Sequence, residues 1–236
     1  MIDFTQQTLA GIVTNDHRAA TVLEKYHLDF CCKGKRTLAD ACAEKGFPAD
    51  EIVGELQSVG TDTGIKQMPF GEMTAEQLIS HIIIHHHFYV KQILPQLSAH
   101  LEKVAIKHGE KFPEMVEVFQ LFAEIKNEMS LHMQKEEMIL FPAIKKAERA
   151  FGNKEPIDGE ANIINSAINV METEHENAGS MMQKIWELTG NYHEPPGACT
   201  TFKLCLAELK AFEEDLHRHV HLENNILFPK AKSFIE

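Results

Sequence analysis

Twice in this chain a histidine is followed four residues later by a glutamate within the same longer phrase. The phrases are LHMQKEEMILFP at 131–142 and RHVHLENNILFP at 218–229. His132 matches His219 and Glu136 matches Glu223, and the LFP that closes each phrase also matches, all at an offset of 87 residues. A helix turns about 100° per residue, so positions i and i+4 point the same way, one turn apart. Two such helices facing each other bring two imidazoles and two carboxylates to one cavity. His87 and His175, in two further segments at nearly the same offset, can add one imidazole each. Four histidines and two glutamates are too many donors for one tetrahedral zinc. They suit two octahedral-leaning ions bridged by both carboxylates, with imidazole favouring iron over magnesium or calcium. A single H-x-x-x-E is ordinarily an exposed pair worth about a few tenths of a kcal/mol. The in-register repetition is what points to a metal.

Ligand number also bears on reactivity. Two histidines and one oxygen from each bridging glutamate give each ion four protein donors. An oxo or hydroxo bridge makes five, and an octahedral ion then keeps one position open. The other histidines nearby, His81, His85, His86, His217 and His221, fall about 100° or more off the ligand face and are expected at the surface or behind the ligands. Glu128 and Asp215 each precede a ligand histidine by four residues. A carboxylate there could accept the imidazole N–H and orient the ring; the alternative is an acid on the polar edge of the helix.

The elements that must position these residues read as helix nearly throughout. Helix formers dominate and β-branched alternation is weak. Four long helices are expected over about 74–106, 113–149, 161–190 and 198–233. Thr74 with Gln77 resembles a capping box, and Pro95 predicts a kink or break in the first helix. Pro142 and Pro229 predict kinks at equivalent places in the second and fourth. Short loops between helices of this length make an antiparallel four-helix bundle, here a duplicated hairpin over 74–236. Residues 1–57 give shorter helices, one opened by Thr37 and stopped by Gly46. The stretch 58–73, with three glycines and a proline, reads as a linker between this small helical domain and the bundle.

The chain has 236 residues, 23 basic and 35 acidic, for a net charge of −12. That balance argues against a nucleic acid or an anionic membrane as partner. No apolar run approaches the roughly 20 residues needed to span a bilayer. The start MIDFTQQ carries no signal-peptide pattern, and five cysteines at irregular spacing are no disulfide framework, so a reducing cytoplasm is expected. Fourteen histidines against three tyrosines and one tryptophan fit a metal-binding chain.

With these residues in place, the bundle resembles hemerythrin-like di-iron domains, whose ligands come from two H-x-x-x-E helices and further histidines. The phrase LDFCCKGKRTLADAC at 28–42 resembles the small cysteine-containing, ScdA-type domain that precedes such a bundle in the bacterial repair of iron centres family. The resemblance covers essentially the whole chain. It implies two non-haem iron ions, carboxylate- and oxo-bridged, held by His87, His132, Glu136, His175, His219 and Glu223. It places the family's vicinal cysteines at Cys31 and Cys32, and Glu174 and Glu128 as acids near the site. It also implies a role in restoring iron–sulfur clusters damaged by nitric oxide or oxidants, with damaged iron–sulfur proteins as clients. Oxygen-carrying hemerythrins, by the same resemblance, use a fifth histidine; four would leave both ions able to accept a diatomic or to be released.

Adjacent Cys31 and Cys32 are unsuited to a structural disulfide. Lys33, Lys35 and Arg36 are expected to favour thiolate there, for electron exchange or for taking up iron. The alternative is one buried apolar cysteine with an accidental neighbour. Two functions follow as expectations. One is cluster repair by iron donation or by nitric oxide reduction, the latter an enzyme activity. The other is reversible O₂ or NO binding as a sensor or carrier. Oligomeric state, a dimer included, is left open by the sequence.

Overall fold

The computed structural model describes residues 3–59, 70–157 and 159–236. Among the described residues helices account for every extended element, and the only β feature is an isolated Thr8–Thr37 bridge. The all-α expectation therefore holds. No helix among them is long and apolar enough to cross a membrane.

Four short helices come first: α1 (Leu9–Asn15), α2 (Ala19–Lys25), α3 (Leu38–Lys45) and α4 (Ala49–Val59). Thr37 caps α3 by accepting from the Asp40 N–H, and Gly46 ends it at φ 73°, a left-handed conformation that glycine adopts without a Cβ clash. The expected linker, 58–73, is only partly described. Its first two residues still belong to α4, and Phe70–Glu72 form a 3₁₀ turn; 60–69 lie outside the described residues.

The first bundle helix starts at α5 (Ala75–His81) with the Thr74–Gln77 capping box in place, passes a π-helical turn (Ile82–His87) and continues as α6 (Phe88–His108). The second comprises α7 (Glu114–Lys135), a π turn (Glu136–Leu140) and α8 (Phe141–Asn153). The third is one regular helix, α9 (Glu160–Leu188). The fourth comprises α10 (Thr200–Leu222), a π turn (Glu223–Leu227) and α11 (Phe228–Ile235). Of the kink or break expected at Pro95, the break does not occur: α6 runs as one helix through it. At Pro142 and Pro229 the chain stays helical as well. Proline has no N–H to give, and here it falls in the first turn of α8 and α11, directly after a π turn has widened the ladder.

The apolar core is split in two. One cluster joins the N-terminal helices, through Leu9, Leu23, Phe30 and Leu38, to Leu97, Phe122, Met182 and Phe212 of the bundle. The other gathers Ile79, Ile82, Phe141, Ile144, Ile168 and Phe228 at the opposite end. On each bundle helix the candidate ligands fall where one cluster gives way to the other.

Candidate metal centre

All six candidate ligands are brought together, and none is more than 1 % exposed. Their donor atoms form two groups, His87, Glu136, His219 and Glu223 in one and His132, Glu136, His175 and Glu223 in the other. Both glutamates belong to both groups. The pairing follows the internal repeat: exchanging the two hairpins turns His87 with His219 into His175 with His132.

The distances suit shared ions. His87 Nε2 lies 3.3 Å from Glu136 Oε2, and His132 Nε2 lies 3.4 Å from Glu136 Oε1. His175 Nε2 lies 3.2 Å from Glu223 Oε2, and His219 Nε2 lies 3.1 Å from Glu223 Oε1. Two ligands each about 2.1 Å from one ion, at octahedral to tetrahedral angles, stand about 3.0–3.4 Å apart. Several of these atoms are buried without a hydrogen-bonding partner: His87 Nε2, both Glu136 oxygens and Glu223 Oε2. Unpaired buried polar atoms are rare, and here they converge. The residues therefore fit a pair of cations bound by nitrogen and oxygen.

Charge is arranged to match. Burial and the facing Glu223 both work to raise the Glu136 carboxyl, yet His132 and His87 hold it below the ordinary carboxylate range. Against burial, His219 and His175 keep Glu223 well below it. Burial would lower His132, but Glu136, Glu223 and Glu174 raise it to about 9. Two ionised carboxylates thus share one buried cavity.

Around the ligands, each ring nitrogen turned away from the cavity has its own partner, with one exception. His132 Nδ1 donates to Glu174 Oε2 at 2.9 Å, and Lys135 also holds that carboxylate. His87 Nδ1 donates to Glu137 Oε1 at 2.7 Å, where Lys91 donates as well. His175 Nδ1 donates to Asn224 Oδ1 at 2.9 Å. Glu137 and Asn224 are matched by the repeat, each one residue beyond a candidate bridging glutamate. The exception is His219, whose buried Nδ1 has no partner. By the repeat, the position matching Glu174 is His86, which has no carboxylate to offer. His86 instead stacks on the His219 ring at 5.4 Å and donates to Asp215 Oδ1 at 2.9 Å.

Two sequence expectations for these outer positions fail. Asp215 meets His86 and not His219, and Glu128 is exposed. The reason is geometric. The outward ring nitrogens of His87, His132 and His175 point across to the neighbouring helix, so their partners come from there and not from four residues below. Glu137 and Asn224 were missed; the EE and EN pairs of the repeat carried that signal. His217 and His221 also differ from a surface role. Both rings meet the edge of Phe30, and they help seat the N-terminal domain on α10.

The cysteines occupy that contact. Asn225 Nδ2 donates to the Cys31 carbonyl at 3.0 Å, with Asn224 Nδ2 3.5 Å from the same oxygen. The expected thiolate at Cys31 is contradicted. Lys33 and Lys35 point to solvent, and Arg36 pairs with Glu44. The charge that faces Cys31 is the Asp29 carboxylate, 3.3 Å from its sulfur. The Cys32 sulfur beside it, and burial, push the Cys31 thiol well above its ordinary value. Among the cysteines, all five are free thiols.

A four-helix bundle with a buried, repeated His–Glu cluster defines a cation-binding carboxylate–histidine protein. Residues 78–231 match the family described as "Hemerythrin HHE cation binding domain", and residues 5–60 match "Domain of Unknown function (DUF542)", the ScdA_N family. The chain is 34% identical over 232 residues to "Iron-sulfur cluster repair protein YtfE" of Citrobacter koseri, covering 98% of each chain. It is likewise 34% identical over 230 residues to the protein of that name from Escherichia coli O81, covering 97% of each. The chain therefore belongs to the hemerythrin-domain family that includes these repair proteins, as its resemblance to the repair of iron centres family implies.

Proposed function

We propose that this chain is a di-iron protein that repairs iron–sulfur clusters damaged by nitrosative or oxidative stress. The observation that carries the reading is that both buried glutamates belong to both histidine pairs. It is supported by the name of the relatives, which align with nearly the whole chain. His87 with His219 would hold one iron, His132 with His175 the other, and Glu136 and Glu223 would bridge them, alongside an oxo or hydroxo group. Bound iron would supply open positions for a diatomic and an ion that can be released. Glu137, Glu174 and Asn224 orient the rings, and the two apolar clusters shield the site on either side. Residues 1–57 would act as the thiol domain, 58–73 as the linker and 74–236 as the bundle. The clients would be damaged iron–sulfur proteins in the cytoplasm, and nitric oxide or O₂ the small ligand.

Iron donation and reduction of nitric oxide to nitrous oxide are two routes to the same repair. A reversible O₂ or NO carrier is the competing reading; the cysteine-bearing domain seated on the bundle favours repair, because a carrier needs no thiols. The test is anaerobic purification, iron counting, and incubation of the reduced protein with a nitric-oxide-damaged iron–sulfur enzyme while client activity and nitrous oxide are measured. About two irons per chain and client recovery beyond that given by an equal amount of free iron are expected. Reversible gas binding with no recovery would establish the carrier instead.

A further inference from the structure

The geometry points to a second metal site, formed by Asp29, Cys31 and Cys32, that takes a single thiophilic divalent cation beside the bundle. Its donor atoms lie within 4.8 Å of one another. The two sulfurs are 3.8 Å apart. Two thiolates bound tetrahedrally to one ion at about 2.3 Å stand about 3.8 Å apart, so the pair needs no rearrangement to chelate. A disulfide, by contrast, would need the sulfurs to close to about 2.05 Å across adjacent residues, whose Cα atoms about 3.8 Å apart are nearer than a relaxed bridge allows.

The loop is built to hold this shape. Asp29 Oδ1 accepts from the backbone N–H groups of Cys31, Cys32 and Lys33 at 3.1, 2.9 and 3.2 Å. Gly34 closes it: a Cβ there would stand 2.2 Å from the Phe30 carbonyl oxygen. The loop is also tied to the bundle centre. Asn224 accepts from His175 through Oδ1, while its Nδ2 lies 3.5 Å from the Cys31 carbonyl. Asn225, the next residue of the same π turn, donates to that carbonyl. One turn of helix thus touches both sites.

On binding, each thiol loses its proton to solvent and two metal–sulfur bonds form; no electron moves. Two sulfurs and one oxygen leave one tetrahedral position unfilled, and Cys32 is partly exposed. A cysteine of a client could occupy that position. The site is then a hand-over point for iron, a refinement that rests on the repair reading, whereas the existence of the site does not.

Cobalt(II) is the probe. The full chain is first loaded with iron and then titrated anaerobically, following the sulfur-to-cobalt charge-transfer band and the tetrahedral cobalt bands, with iron content checked throughout. We expect one cobalt per chain at the thiol site with the bundle iron retained. Cys31→Ser/Cys32→Ser abolishes the band. Asp29→Asn, which keeps the oxygen that accepts the backbone N–H groups, weakens cobalt binding by about tenfold or more. A folded, iron-loaded wild-type chain without a thiolate–cobalt band, or a band that survives the double serine variant, overturns the site. Client recovery is scored separately. Cobalt binding without recovery would defeat the repair reading and leave the site standing.

Discussion

His132 and His175 meet Nε2 to Nε2 at 3.0 Å inside the bundle. Their Nδ1 atoms donate to Glu174 and Asn224, so in the neutral rings both facing nitrogens present lone pairs. Two lone pairs at that distance repel unless a cation lies between them, and without metal that cation is the proton that His132, raised to about 9, holds toward His175. Removing metal with a chelator should destabilise the fold, because His87 Nε2, both Glu136 oxygens and Glu223 Oε2 are then buried without partners. Leaving one buried polar group unpaired costs about 1–3 kcal/mol. In a chain of this size each kcal/mol lowers the melting temperature by about 2–4 °C. Thermal melts of metal-loaded and stripped protein check this; coincident curves would refute it.

The donor grouping makes deletions unequal. His87→Ala/His219→Ala should leave one ion bound between His132 and His175, and His132→Ala/His175→Ala should leave the other. Glu136→Ala or Glu223→Ala should lose both. Because His219 lacks a partner at Nδ1, the ion beside His87 and His219 should be the first to leave the unmutated protein during partial chelation. Metal counting on each variant, with ring assignments by paramagnetic NMR, decides. Loss of the His132–His175 ion first would reverse the order.

Glu174→Ala should weaken metal binding by about 10–100-fold, since it frees the ring it orients. Glu128→Ala, an exposed position, should leave affinity essentially unchanged. A competition titration with a chromogenic chelator measures both. Equal weakening would mean that Glu128 reaches the site after all.

The seam between the N-terminal helices and the bundle should be pH-sensitive. Burial raises Glu24 to about 7 even though it pairs with Arg218 of α10, against 4.5 for an unperturbed glutamate. A raised folded pKa means that the native state holds the proton more tightly. The stability so contributed is complete below about 4.5 and is lost as pH rises through about 7. Urea unfolding from pH 5 to 8 should show a fall that Glu24→Gln flattens. An identical pH profile for the variant would remove Glu24 from the account.

The ligand set was legible because a helix repeats with fixed geometry. His132–Glu136 and His219–Glu223 announce a shared direction, and duplication announces a shared centre. The capping box at Thr74 and the stop at Gly46 were legible for the same local reason. What lay beyond the sequence was lateral. The partners Glu137, Glu174 and Asn224 reach across helix pairs, and only Glu174 was anticipated, through family resemblance. The charge around Cys31 was misjudged because neighbours in sequence, Lys33 and Lys35, face outward while Asp29 turns in. The three π turns had no visible signal beyond the prolines that follow two of them.

The division of the apolar core by a layer of ionisable groups bears on how the molecule melts. Among the described residues the two buried apolar clusters stay separate across that layer, so continuity between the Phe212 end and the Phe228 end rests on the four helices, on whatever the six ligands hold and on the N-terminal segment tied to Asn224 and Asn225. With cations in place, unfolding should be a single event, with calorimetric and van't Hoff enthalpies in agreement. Without them the ends are held together less firmly, and the heat-absorption peak should broaden or split, with the end that carries the N-terminal helices melting last.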